Sequence, residues 1–102
     1  MNIFLVTDET GRERWVAVED TIAQRLYVYV ANTGAFHRND AVGVDYYADQ
    51  RLNYEPIGAD RAAAKIAEGL GRIDEGNAGW LADRYRRDRS ARSVESVLGT
   101  PA

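Results

Sequence analysis

Cysteine is absent from the 102 residues, and histidine, lysine and proline are nearly so, with His37, Lys65 and two prolines. Without thiols there can be no disulfide framework, no thiolate metal site and no cysteine nucleophile. A single histidine excludes a histidine-rich zinc site within one chain, so no metal and no cofactor is expected. Long apolar runs are also missing. The stretch Met1-Asn2-Ile3-Phe4-Leu5-Val6 is far shorter than the ~20 residues that span a bilayer and carries no basic leader, so it reads as a first strand rather than a signal peptide. A cytoplasmic protein without membrane contacts is the expectation.

What is present is ordinary for a globular chain: 45% hydrophobic and 28% charged residues, enough for one modest core. A formal charge of −3 gives no general attraction to nucleic acid, which is therefore an unlikely partner on charge alone.

The first third predicts three strands. Residues 3–7 are apolar and β-branched and end at Asp8-Glu9-Thr10-Gly11, where the glycine suits a short hairpin connection. Residues 14–18 make the second strand, antiparallel to the first because the linker is too short for a crossover. Residues 25–31 make the third, with Leu26, Val28 and Val30 on one face and Tyr27, Tyr29 and Ala31 on the other. Asn32-Thr33-Gly34 breaks this strand, and residues 35–40 read as a loop leading to a helix N-cap at Asn39 or Asp40.

The remainder predicts helices. A short one covers residues 41–49, weakened by Gly43 and Val44. A stronger one covers residues 59–68, with Ala59, Ala62, Ala63 and Ile66 at helical spacing and Gly69 and Gly71 beyond its end. The last begins after Glu75-Gly76-Asn77 and becomes rich in arginine. There Asp83 with Arg87, Arg84 with Asp88, and Asp88 with Arg92 have the spacing of helical ion pairs. The predicted fold is α+β: a three-stranded antiparallel sheet in order 1-2-3, packed mainly on its aliphatic face by two to three C-terminal helices. Residues 1–90 form one domain, and residues 91–102 are a tail covering an edge, the other face or a second subunit.

Three sets of residues are candidates for function. Trp15, Tyr27 and Tyr29, with the apolar strip Val94, Val97 and Leu98, form a partner-binding surface, since aromatics dominate contact hot spots. The loop cluster of His37, Arg38, Asp40 and Asp45, followed by Tyr46, Tyr47, Arg51 and Tyr54, holds the side-chain types of a metal-independent ribonuclease, a base, a phosphate-binding cation and an acid, with His37, Arg38 and Tyr47 as the catalytic candidates. Arg84 and Arg87 would meet a phosphate backbone if nucleic acid is bound. The leading expectation is a small non-enzymatic binding or regulatory protein acting through protein contacts, a homodimer included. A ribonuclease of the toxin type is the alternative, and a nucleic-acid-binding module comes third.

Overall fold

Strands β1 (Asn2–Thr7) and β2 (Glu13–Asp20) pair antiparallel across a tight turn in the computed structural model, which describes residues 1–99. Asp8 builds that turn: its Oδ1 accepts hydrogen bonds from the Thr10 and Arg12 N–H groups, and Gly11 takes the left-handed φ of 85°. β3 (Arg25–Val30) follows antiparallel to β2, as the pattern of alternation implies.

The fold is α+β, with an antiparallel sheet of six strands in the order β5-β1-β2-β3-β4-β6 and four α-helices. The three-stranded sheet read from sequence is therefore only its centre. β4 (Ala35–Arg38) occupies what was expected to be loop and pairs with β3. β5 (Asn53–Pro56) pairs with β1 at one edge, and β6 (Arg92–Ser93) pairs with β4 at the other. Strands of two to four residues carry too little periodicity to be seen before their pairing partners are known. Pro56 lies at the β5 edge, where a missing N–H costs no ladder bond.

The helices also divide differently from the expectation that they lie mainly on the aliphatic face. α1 (Asp40–Val44) and α3 (Glu75–Arg86) cover that face, packing Val42, Ala82 and Tyr85 on Phe4, Val6, Leu26, Val28 and Val30. α2 (Ala59–Ala67) and α4 (Val94–Leu98) cover the tyrosine face, where Ala62, Ile66, Val94, Val97 and Leu98 meet Val16, Val18, Tyr27, Tyr29 and Phe36. A sheet whose central strands are apolar on both sides must be covered on both. The tail thus supplies an edge strand and a helix on the second face; residues 100–102 of it lie outside the described residues.

The loop between α2 and α3 carries the chain from one face to the other: Leu70 packs on the tyrosine side and Ile73 on the aliphatic side. Between them the Gly71 carbonyl accepts a hydrogen bond from the Ala31 N–H at the end of β3, 3.0 Å. Asn32 clasps the far side, accepting from the Ile73 N–H (2.7 Å) and donating to its carbonyl (3.0 Å).

After α3, the ion pairs expected along residues 83–92 do not form. Asp83 pairs with Arg86 (2.9 Å), Asp88 with His37 (3.0 Å) and Arg92 with Asp20 (2.8 Å). The physical reason is that α3 ends at Arg86 with Arg87 as its C-cap, so helical i,i+4 spacing does not extend to Asp88 and Arg92. Among the described residues, no helix is long and apolar enough to cross a membrane.

Candidate functional site

One cleft combines apolar walls with a polar rim. It lies on the aliphatic side of the sheet, between the β1–β2 turn and α1, with a volume of about 610 Å³. Trp15 forms its floor, because β2 alternates there: Val16 and Val18 face the tyrosine side while Trp15 and Ala17 face the other. The pairing also shifts next to this tryptophan, with Val6 opposite Trp15 but Thr7 opposite Glu13, so that Arg14 is an inserted bulge residue. Bulges twist a strand and re-aim the neighbouring side chain, and they recur beside binding sites.

The opposite wall is built from residues 39–52. Asn39 caps α1, its Oδ1 accepting from the Val42 N–H at 2.9 Å, which sets Val42 in the cleft. α1 then widens into a π-helical turn, Asp45–Asp49, closed by the Gln50 N–H on the Asp45 carbonyl, with Gln50 left-handed at φ 50°. Asp45 folds the chain back. Its carboxylate accepts from the Arg51 N–H (2.9 Å), the Leu52 N–H (3.1 Å) and the Tyr54 hydroxyl (2.7 Å), so Leu52 joins the apolar wall. π-Helical turns of this kind are concentrated at functional sites.

The turn is fastened to the sheet by Glu19, a buried carboxylate on β2. It accepts hydrogen bonds from Asn2 (2.9 Å), Tyr46 (3.2 Å) and Tyr47 (2.8 Å). Burial alone would raise the Glu19 pKa, but these three donors outweigh it and hold the group below its ordinary value. Asp45 shows the same balance, burial against the Tyr54 hydroxyl and two backbone N–H groups, and it too is held low. The Tyr47 hydroxyl is pushed up to about 12 by burial and by Glu19.

Because Glu19 and Asp45 are depressed in the folded chain, their contribution is present at neutral pH. It is lost as pH falls below the ordinary values of 4.5 and 3.8, where the unfolded chain takes up protons first. Glu19→Gln cannot titrate. Urea titrations should therefore show a shallower loss of stability for this variant than for the wild type between about pH 5 and pH 3. Parallel slopes would show that Glu19 is not held as described.

The residues singled out from sequence are placed as follows. Tyr27 and Tyr29 are 6% and 8% exposed, beneath the half-buried Val94, Val97 and Leu98. These two halves of the expected partner surface cover one another. Trp15 lies on the opposite face and lines the cleft. His37, Arg38 and Tyr47 are not brought together: β3 separates Glu19, which holds Tyr47, from the strand of His37, and Arg38 is engaged by Asp40 at 2.6 Å.

His37 itself is 1% exposed. Its Nε2 lies 2.6 Å from the Thr33 hydroxyl and its Nδ1 lies 3.0 Å from Asp88 Oδ2. The connectivity of hydroxyl, imidazole and carboxylate is that of an acyl-transfer triad. Thr33 Oγ1, however, also sits within the β3–β4 turn, near the Val30 carbonyl (3.2 Å) and accepting from the Ala35 N–H (3.3 Å), and it lines none of the clefts described here. The trio ties β4, that turn and the loop after α3 together.

Arg84 and Arg87 are exposed on α3. Among the described residues, no three His, Asp or Glu side chains group in a way that could hold a metal ion. Sequence reasoning missed Val42, Leu52 and the anchoring roles of Glu19 and Asp45. The alternation Trp15, Ala17, Glu19 was the one available signal, since it puts a carboxylate on a face otherwise apolar. Compared with known proteins, the chain matches no protein-family model, no curated protein and no solved structure.

Proposed function

We propose that this chain is a non-enzymatic binding protein, suited to a regulatory role, that takes a segment of a protein partner into the Trp15 cleft. The observation that carries this reading is the state of the groups lining it. Asp8 is consumed by its turn, Asn39 by the helix cap and Asp45 by three donors, while Thr10 donates its hydroxyl to Asp8 at 2.6 Å. What remains open is an apolar surface of Trp15, Val42 and Leu52, with Glu9 and Arg51 at the rim. Such a lining binds and orients: the one carboxylate left open, Glu9, stands at the rim, and no nucleophile lies in the apolar floor.

The electrostatics narrow the partner. Asp8, Glu9 and Asp45 give the cleft three carboxylates against the guanidinium of Arg51 within it and that of Arg14, 3.7 Å from Asp8, beside it. An apolar or aromatic anchor next to a lysine or arginine is the complementary segment, the cation lying toward the carboxylates and the indole face.

A displayed peptide library panned on the purified chain tests this. Enriched peptides should share an apolar anchor beside a basic residue, and Trp15→Ala should weaken them about tenfold or more, as a central aromatic contact does. Enrichment indifferent to Trp15 would sink the reading. Light scattering on the same variant tells whether a second copy of the chain is the partner.

A further inference from the structure

We propose that the outward face of α3 is a second binding surface, independent of the cleft, and that its ligand is single-stranded nucleic acid held through its phosphates and a stacked base. The charge balance of the whole chain argues against such a ligand, but the structure distributes that charge unevenly.

Trp80 is 68% exposed, unusual for a residue whose large ring is mostly covered in folded proteins. Beyond a kink at Ala78, Leu81, Ala82 and Tyr85 turn α3 toward the sheet, so Trp80, Arg84 and Arg87, at i, i+4 and i+7, share the opposite face over roughly 10 Å of helix. The acids that could neutralise these arginines are engaged elsewhere. Asp83 and Glu75 both pair with Arg86, at 2.9 and 2.7 Å, and Asp88 is held by His37. Among the described residues, Arg84, Arg87 and the following Arg89 form no ion pair. Arg84 also lines a groove between α3 and the β4–α1 junction, where Arg38 is paired with Asp40 and Asp88 with His37, so that Arg84 is the one charged group of that lining without an ion-pair partner.

Arginines near a helix C-terminus are favourable in themselves, through the carbonyl ends that point there. That accounts for the cations but not for an open indole one turn before them. An acidic peptide would use the guanidiniums and leave Trp80 idle. A single strand uses both, since every base has a face to stack and every linkage a charge, and it requires no sequence code.

The test is fluorescence anisotropy with labelled oligothymidylate and oligouridylate of about 12 nucleotides at roughly 20 mM salt. Wild-type protein should bind, and the affinity should fall about twentyfold for a tenfold rise in salt, the dependence set by about two neutralised phosphates. Trp80→Ala should weaken binding about tenfold. The pair Arg84→Glu and Arg87→Glu should abolish it, while Ile22→Ala, at an exposed position on the β2–β3 turn, should leave it unchanged. All these positions are solvent-exposed, so the fold is not at stake. A preference for one oligonucleotide names DNA or RNA as the source. Failure of both to bind, binding indifferent to Trp80, or selective binding of a labelled polyglutamate in their place overturns the proposal, the last pointing to an acidic protein.

Discussion

Replacing His37 by alanine is expected to lower the stability of the chain by about 3 kcal/mol, and its Tm by roughly 15 °C, without abolishing the fold. The ring is fully buried, lies 4.8 Å from that of Tyr85 and bonds at both nitrogens. With the proton on Nδ1 donated to Asp88, Nε2 accepts from the Thr33 hydroxyl, and all three groups are satisfied. Alanine removes the packing of a buried ring and both of its hydrogen bonds, while the Thr33 hydroxyl keeps the Val30 carbonyl and Asp88 keeps the Ser90 N–H, so the fold survives. Thr33→Val, which deletes one hydroxyl from the same trio, should cost only about 1 kcal/mol. Urea unfolding measures both. A His37→Ala variant within about 0.5 kcal/mol of wild type would show that the ring is not a structural link.

Gly71→Ala should be destabilising by about 3 kcal/mol or more, against about 1 kcal/mol for Gly69→Ala two residues earlier. Both glycines are left-handed, at φ 92° and 89°, so each substitution incurs backbone strain. They differ in what a new methyl group would meet. At Gly69 there is open space; at Gly71 the added carbon runs into the backbone carbonyl oxygen of Tyr29. The carbonyl belongs to a central strand and cannot move without breaking the sheet, whereas a side chain could turn aside. Thermal unfolding of the two variants side by side separates strain from collision, and equal effects would place Gly71 away from β3.

The opening hairpin was legible as two apolar runs of five or more residues joined by a connection too short for a crossover, and the third strand by its alternation of aliphatic and tyrosine side chains. The Asn39 cap was legible for a local reason as well, a short polar side chain ahead of a helix. β5 and β6 were not, since their identity as strands rests on partners far along the chain, Tyr54 on Val6 and Arg92 on Phe36, and β4, though next to its partner β3, is too short to show a period. The candidate cleft was legible only as scattered residues, Trp15 on its strand and Asp45 and Arg51 in the loop cluster. Its other wall depends on Asp45 reaching the backbone of residues 51 and 52 and on Glu19 meeting two tyrosines from 27 and 28 residues away.

Local pattern by itself determined that this chain is an α+β protein built on an antiparallel sheet with an aliphatic and an aromatic side, because pleating assigns alternate residues to opposite faces whatever lies above them. Which helix covers which side, where the tail comes to rest, and which carboxylate partners which arginine were decided only in three dimensions. Those outcomes turn on contacts between residues distant in sequence, and such contacts are selected by burial and geometry rather than by spacing along the chain.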